Sequence, residues 1–197
     1  LSEWPISWME ALHWVRTLNE ESLLGHSDWR LPNRRELRSL IGYQTRDPAL
    51  PEDHPFEGIF LGWFWTSTTA ARNGAYAWYV HLEGGRMFYG HKDEDHLVWP
   101  CRGRTSVLPV TGQTDCFDSE GRQMRTKGTG QDGELAEGIP WPQPRFVLSS
   151  ATVLDRLTGL RWTRNADLGG GLTRWDEAFD VIDEIRHKRL GGFCRWR

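Results

Sequence analysis

Apolar residues recur at helical spacing in two stretches of this chain. Trp8, Ala11, Leu12, Val15 and Leu18 share one face of a helix over residues 8–20, which Ser7 and Glu10 open as a capping box. Trp175, Ala178, Phe179, Ile182 and Ile185 repeat that stripe. Residues 8–30 align without a gap to residues 175–197, with Trp8/Trp175, Glu10/Glu177, Ala11/Ala178, Leu23/Leu190, Gly25/Gly192, Trp29/Trp196 and Arg30/Arg197 identical. The apolar pattern survives where identity does not, so the stripe reads as core. The chain is expected to hold one full period of a long repeat plus the start of the next, as a piece of a tandem array.

A second short helix is predicted over residues 33–41. Asn33 caps it, Glu36 sits at the reciprocal position, Leu37, Leu40 and Ile41 supply its buried face, and Pro32 keeps the helix from starting earlier. Residues 43–62 carry Asp47-Pro48, Leu50-Pro51, His54-Pro55 and Glu57-Gly58, the signature of a long loop. Aromatic and β-branched runs at 63–68, 76–82, 86–90 and 97–102, with Gly84-Gly85 between two of them, predict an antiparallel meander. The fold class is therefore α+β, two helices packed on an antiparallel sheet, with a second, truncated copy. Trp29 is expected to be buried as the pin between helix and sheet. Strand alternation sends Tyr76, Trp78, Val80 and Leu82 to the core and Ala77, Tyr79 and His81 to the other face.

Residues 103–145 change character: turn formers abound and aliphatics thin out. The expected organisation is a domain at 1–105 that lacks its first strand, a Gly/Thr/Pro-rich linker at 106–145, and the start of a second copy at 146–197. That second piece reads as a strand hairpin over 146–163 and a helix, with no sheet of its own. Its simplest placement is beside 97–101, completing the first sheet in cis or by strand-swapped self-association.

Composition removes several classes of function. A net charge of −3 gives no polycation, so nucleic acid is not an expected partner. No apolar run reaches the ~20 residues of a membrane helix, so membrane insertion is not expected. Seven histidines are scattered, and no G-x-S-x-G, P-loop or H-E-x-x-H occurs, so no enzyme is expected. No cofactor is expected either. Calcium is the one candidate, on Asp115, Asp118, Asp132 and Glu134 with Glu120 nearby, because turns can present several hard oxygen ligands; the spacing is not that of an EF-hand loop. The alternative for these carboxylates, and for the charged turn from His91 to His96, is a solvated surface. Cys101, Cys116 and Cys194 lack metal-ligand spacing; Cys101 and Cys116 flank a loop and make a candidate disulfide, with three reduced thiols the alternative.

The ordered motifs Trp-x-x-Ala, Asp28-Trp29-Arg30-Leu31-Pro32-Asn33-x-x-Glu36-Leu37, Trp65-Thr66-Ser67-Thr68, Ala77-Trp78 and Val98-x-x-Cys101-Arg102-Gly103 carry a resemblance. So do Thr111-Gly112-Gln113-Thr114-x-Cys116-Phe117-Asp118, the run Gly128 to Glu134, and Asp155-x-x-Thr158-Gly159-Leu160-x-Trp162. Together they resemble the Lcl C-terminal domain family, a bacterial module long known only as a domain of unknown function. The resemblance implies a C-type-lectin-like fold, an extracellular, cell-surface or periplasmic location and, from the best-known member, adhesion to sulfated glycans. Two positions depart from it: tandem members commonly carry a second Cys where this chain has Thr126, and Ser27 stands where the second copy has Cys194.

The expected function is a non-catalytic binding module for an extracellular glycan or a surface protein; the alternative is a structural tandem-repeat or assembly module, or a scaffold for a protein partner. Tyr79, His81, Tyr89, His91 and Lys92 are candidate ligand-binding residues, since aromatic faces stack on sugar rings while nearby donors reach hydroxyls. Arg34 and Arg35, with Arg38 and Arg72, form a local basic patch despite the acidic total.

Overall fold

The computed structural model describes residues 4–197. The chain divides into two compact units, one ending at Pro140 and one spanning Trp141–Arg197. In the first, α1 (Trp8–Glu20) begins where the Glu10 carboxylate accepts from the N–H and Oγ–H of Ser7, at 3.0 and 2.6 Å. It ends as Ser22 turns left-handed into the single 3-10 turn Leu23–Gly25. In α2 (Arg34–Ser39) the expected capping box is present: Asn33 Oδ1 accepts from the N–H groups of Arg35 and Glu36, and Glu36 accepts from that of Asn33.

Strands β1 (Trp63–Thr69), β2 (Tyr76–His81) and β3 (Met87–His91) form an antiparallel sheet in that order. Neighbouring residues of β1 and β2 face opposite ways, and both faces are covered. Trp65, Ala77 and Tyr79 pack with the α1 stripe, Leu31 and Val98; Phe64, Val80 and Leu82 pack with Leu37, Ile41, Ala49 and Leu50. The two helices thus flank the sheet, each supplying the apolar area its face removes from water.

Trp8, not Trp29, pins helix to sheet. Trp8 is fully buried and its indole N–H donates to the Thr66 carbonyl at 2.7 Å, while Trp65 reciprocates onto the Ile6 carbonyl at 2.9 Å. Trp29 is only half-buried: its indole donates to the Leu23 carbonyl, closing the turn after α1, and Asn19 clamps its backbone.

Residues 97–101 do not continue the meander beside β3. Leu97 crosses to the far side of β1, where it meets Phe64 in parallel, and its backbone exchanges bonds with Trp63 and Trp65. His96 pairs with Ile6 and Cys101 with Arg30, so this segment finds its backbone partners inside the first unit.

The stretch expected as a linker is folded as far as Pro140. β4 (Cys116–Phe117) and β5 (Gln123–Met124) form a hairpin, α3 (Asp132–Leu135) follows, and Pro109 bridges to Ile139. Gln113 caps the Thr69 backbone with both ends of its amide, at 2.9 Å each. Asp132, 1% exposed, accepts from the hydroxyls of Thr68 and Thr111 at 2.6 and 2.7 Å. Hydrogen bonds to the end of β1 replace the aliphatic core this stretch lacks.

The second unit has its own sheet, contrary to expectation: β6 (Phe146–Leu148), β7 (Thr152–Asp155) and β8 (Arg161–Thr163), antiparallel in that order. Asp155 fixes the β7–β8 turn by accepting from Arg145, Leu157 and Thr158. α4 (Glu177–His187) and the 3-10 turn Leu190–Gly192 reproduce α1 and its turn down to the dihedral angles. Ser22 and Arg189 have φ of 52° and 48°, and Leu24 and Gly191 have 53° and 62°. Where Asn19 holds the Trp29 carbonyl, Arg186 holds that of Trp196 at 2.7 Å.

Candidate functional site

The six residues of α2 read Arg34-Arg35-Glu36-Leu37-Arg38-Ser39, and helical geometry sorts them. Leu37 turns into the core and Glu36 into the cap, leaving Arg34, Arg35 and Arg38 on the outer surface. The N–H of Arg34 donates to Thr68 Oγ1 at 3.0 Å, so the start of α2 is fixed to β1. The three arginines line one open groove of about 570 Å³ with Ile41, Tyr43, Met87, Leu108 and Pro109.

Among the described residues, no carboxylate lies within ion-pair distance of any of these three guanidinium groups. Instead Arg34 lies over the Trp78 ring at 3.7 Å, and Arg38 donates to the Tyr43 hydroxyl at 3.2 Å. Burial, then the positive charges of Arg35 and Arg38, hold Arg34 below the usual arginine range, with Asp132 acting in the opposite direction. The group remains a cation, and an anion entering the groove would relieve that crowding.

Trp78 connects the groove to a row of rings on the same side of β2 and β3. Trp78 meets Tyr89 edge-on at 5.1 Å and Tyr76 meets His91 at 5.3 Å, while Arg72 reaches the Tyr89 hydroxyl at 3.4 Å. Tyr76, Trp78, Tyr89 and His91 are each half-buried; Trp78 adjoins Arg34 and Tyr89 adjoins Arg72, and Tyr76 links Tyr89 to His91. Of the sequence candidates, Arg34, Arg35, Tyr89 and His91 therefore come together, with Arg38 and Arg72.

Three others do not. Tyr79 and His81 are buried, at 7% and 8% exposure: Tyr79 packs with the α1 stripe, and His81 lies edge-on to Trp63 at 4.4 Å. Lys92 is fully buried: its ammonium donates to the Phe117 and Asp118 carbonyls at 2.9 and 3.3 Å and sits 4.0 Å from the Trp8 ring. Tyr43, Tyr76 and Trp78 are the site residues that sequence reasoning missed. Tyr43 lay in a loop without periodicity, and the alternation that placed Tyr76 and Trp78 in the core did not reveal that they stand at its rim.

A second cleft of about 490 Å³ opens beside α2 between Leu37, Leu40, Phe56, Trp99 and Val107. Its charges are already matched: Arg30 with Glu36 at 2.7 and 2.8 Å, Arg102 with Asp28 and Arg104 with Glu137. The groove with unmatched charge is the stronger candidate.

The calcium candidates do not converge. Asp115 accepts from Gln123, Asp118 from Arg122 and two backbone N–H groups, Asp132 from two hydroxyls, and Glu134 from Thr129 and the N–H groups of Gly128 and Gly130. No cluster of three metal-ligating side chains occurs among the described residues. Cys101 and Cys116 are free thiols, not a disulfide, as is Cys194. Among the described residues no helix is long and apolar enough to cross a membrane.

Comparison with curated proteins and with solved structures gave no match. The family model described as the Lcl C-terminal domain matches residues 2–102, a span that holds α1, α2, the β1–β3 sheet and the three arginines of the groove. With more than half of its length matched, the chain belongs to the Lcl C-terminal domain family.

Proposed function

We propose that this chain is a non-catalytic binding module of the bacterial exterior, on the cell surface, in the periplasm or secreted, that takes an anionic glycan in the arginine groove. The observation that carries the reading is three arginines on one short helix with, among the described residues, no carboxylate within ion-pair distance. A cationic group left unmatched at a protein surface is available to an external anion, and the arginine fork suits sulfate and carboxylate oxygens. The aromatic row beside it offers ring edges and faces for the sugar. The net charge of −3 opposes a polyanion at long range, so binding rests on local contacts in the groove.

Heparin, its desulfated form and a neutral glycan, immobilised side by side, test this directly. The sulfated glycan should bind best and weaken as salt rises. Arg35→Glu with Arg38→Glu should reduce affinity by tenfold or more, as expected for lost charge-assisted bonds worth about 1.5–3 kcal/mol each. Affinity that ignores both salt and charge reversal would remove the reading.

A further inference from the structure

The second cleft beside α2 is built by stretches that lie far apart in sequence. The loop 43–62 brings Phe56, the segment 97–101 brings Trp99, and the folded stretch after it brings Val107 and Leu108. The two rings meet edge to face at 4.9 Å, and Trp99 rests in turn on buried Phe64 at 5.8 Å. Val107 and Leu108 are held by their backbone: both N–H groups donate to Thr105 Oγ1, and the Leu108 carbonyl accepts from the N–H of Ile139 at 2.8 Å. Val107 nonetheless leaves 77% of its surface in water, and Phe56 38%. Fixed walls with exposed apolar side chains enclose about 490 Å³, within the ~300–1,000 Å³ of small-ligand sites.

We propose that this cleft is a subsite for an uncharged pyranose ring. Together with the arginine groove, and resting on the glycan reading of that groove, it makes one track for a chain in which sulfated and uncharged sugars alternate. Ser39, at the end of α2, and Leu108 line both openings, so cleft and groove adjoin across the end of that helix. The charged side chains that line the cleft, unlike the three arginines of the groove, are already paired: Arg30 with Glu36, Arg102 with Asp28 and Arg104 with Glu137. An anion would have to compete with those carboxylates. A wholly apolar occupant would strip water from the pairs and return nothing. A sugar ring does neither: its hydroxyls both donate and accept, as arginine–carboxylate pairs do, and its C–H face packs on a ring such as that of Trp99.

Three probes titrated onto the full chain test this: a heparin hexasaccharide, charged on every sugar; a keratan sulfate hexasaccharide, in which uncharged galactose alternates with sulfated N-acetylglucosamine; and the uncharged apolar dye Nile red. Trp99→Ala should weaken keratan sulfate by roughly tenfold and leave heparin unchanged. Val107→Trp, which fills the cleft from an exposed position, should do the same, and unchanged heparin binding shows that each variant is folded. Arg35→Glu with Arg38→Glu should weaken both glycans. If the arginine change weakens both and the cleft variants weaken neither, the subsite is wrong and the arginine groove stands. If the cleft variants weaken keratan sulfate and the arginine change weakens neither glycan, the cleft is upheld as a sugar site, while the groove reading and the shared track fall. Equal loss of both glycans in folded cleft variants overturns the proposal, because the cleft then takes charged sugars. So does a parent chain that binds neither glycan, or cleft variants that lose Nile red and keep both glycans.

Discussion

Leu24 holds a left-handed backbone at φ 53°, 79% exposed, where the second copy places Gly191 at φ 62°. A residue with a Cβ is strained there, by about 1–2 kcal/mol, while glycine is free to adopt the angle but loses more entropy on folding. Leu24→Gly is therefore expected to stabilise the first unit by about 0.5–1 kcal/mol, read as a higher urea midpoint. The reverse change, Gly191→Leu, should destabilise the second unit more than Leu24→Gly stabilises the first. A Cβ at Gly191 would stand 2.6 Å from the Thr152 methyl, so strain and overlap add. Two midpoints that move together, or not at all, would mean that the turn is not held in the conformation described.

At the scale of elements, Lys92 fastens the hairpin β4–β5 to α1 through carbonyl acceptors and a ring, without a paired carboxylate. Burial pushes its pKa down from 10.5 to about 7, against the opposing charges of Asp118 and Cys116. The folded chain thus holds this proton less tightly than the unfolded chain, so unfolding takes up a proton between pH 7 and 9 and stability rises with pH across that window. Above pH 9 the thiols oppose it. Burial holds Cys101 up to about 12 and raises Cys116, so the unfolded chain loses those protons first. Lys92→Met should flatten the rise between pH 7 and 9 in denaturant midpoints; an unchanged slope would assign the titration elsewhere.

Elements of this kind divide by how their partners lie along the chain. α1, α2 and their caps were legible because stripe and cap fall within a few residues of each other, and the β1–β3 meander because its strands follow in order. Residues 106–140 were not, since Asp132 answers Thr68 and Gln113 answers Thr69 across long stretches of sequence, with polar side chains that read locally as turns. The same limit governs the site. Alternation shows which residues share a face, but what covers that face is decided elsewhere, by α1 over Tyr79, the Trp63 ring beside His81 and the Phe117–Asp118 backbone over Lys92, which is why these three read as exposed. The arginines stood out because three of six consecutive residues are arginine and helical spacing gives them no acidic partner.

Across the whole molecule, three thiols occupy three different surroundings, and alkylation chemistry follows from that. The thiolate is the nucleophile, so a thiol that burial keeps protonated reacts slowly. Cys101 is half-buried and held up to about 12, Cys116 is fully buried behind Thr129, and Cys194 is exposed. A maleimide at neutral pH should attach once per folded chain, at Cys194, and three times after denaturation, as counted by intact mass. Rapid labelling of all three in the native protein would contradict the packing at β4. Cys194 stands where the first copy carries Ser27, two residues before Trp196. A fluorophore placed there labels the second copy of the repeat, and leaves the groove-bearing copy chemically untouched.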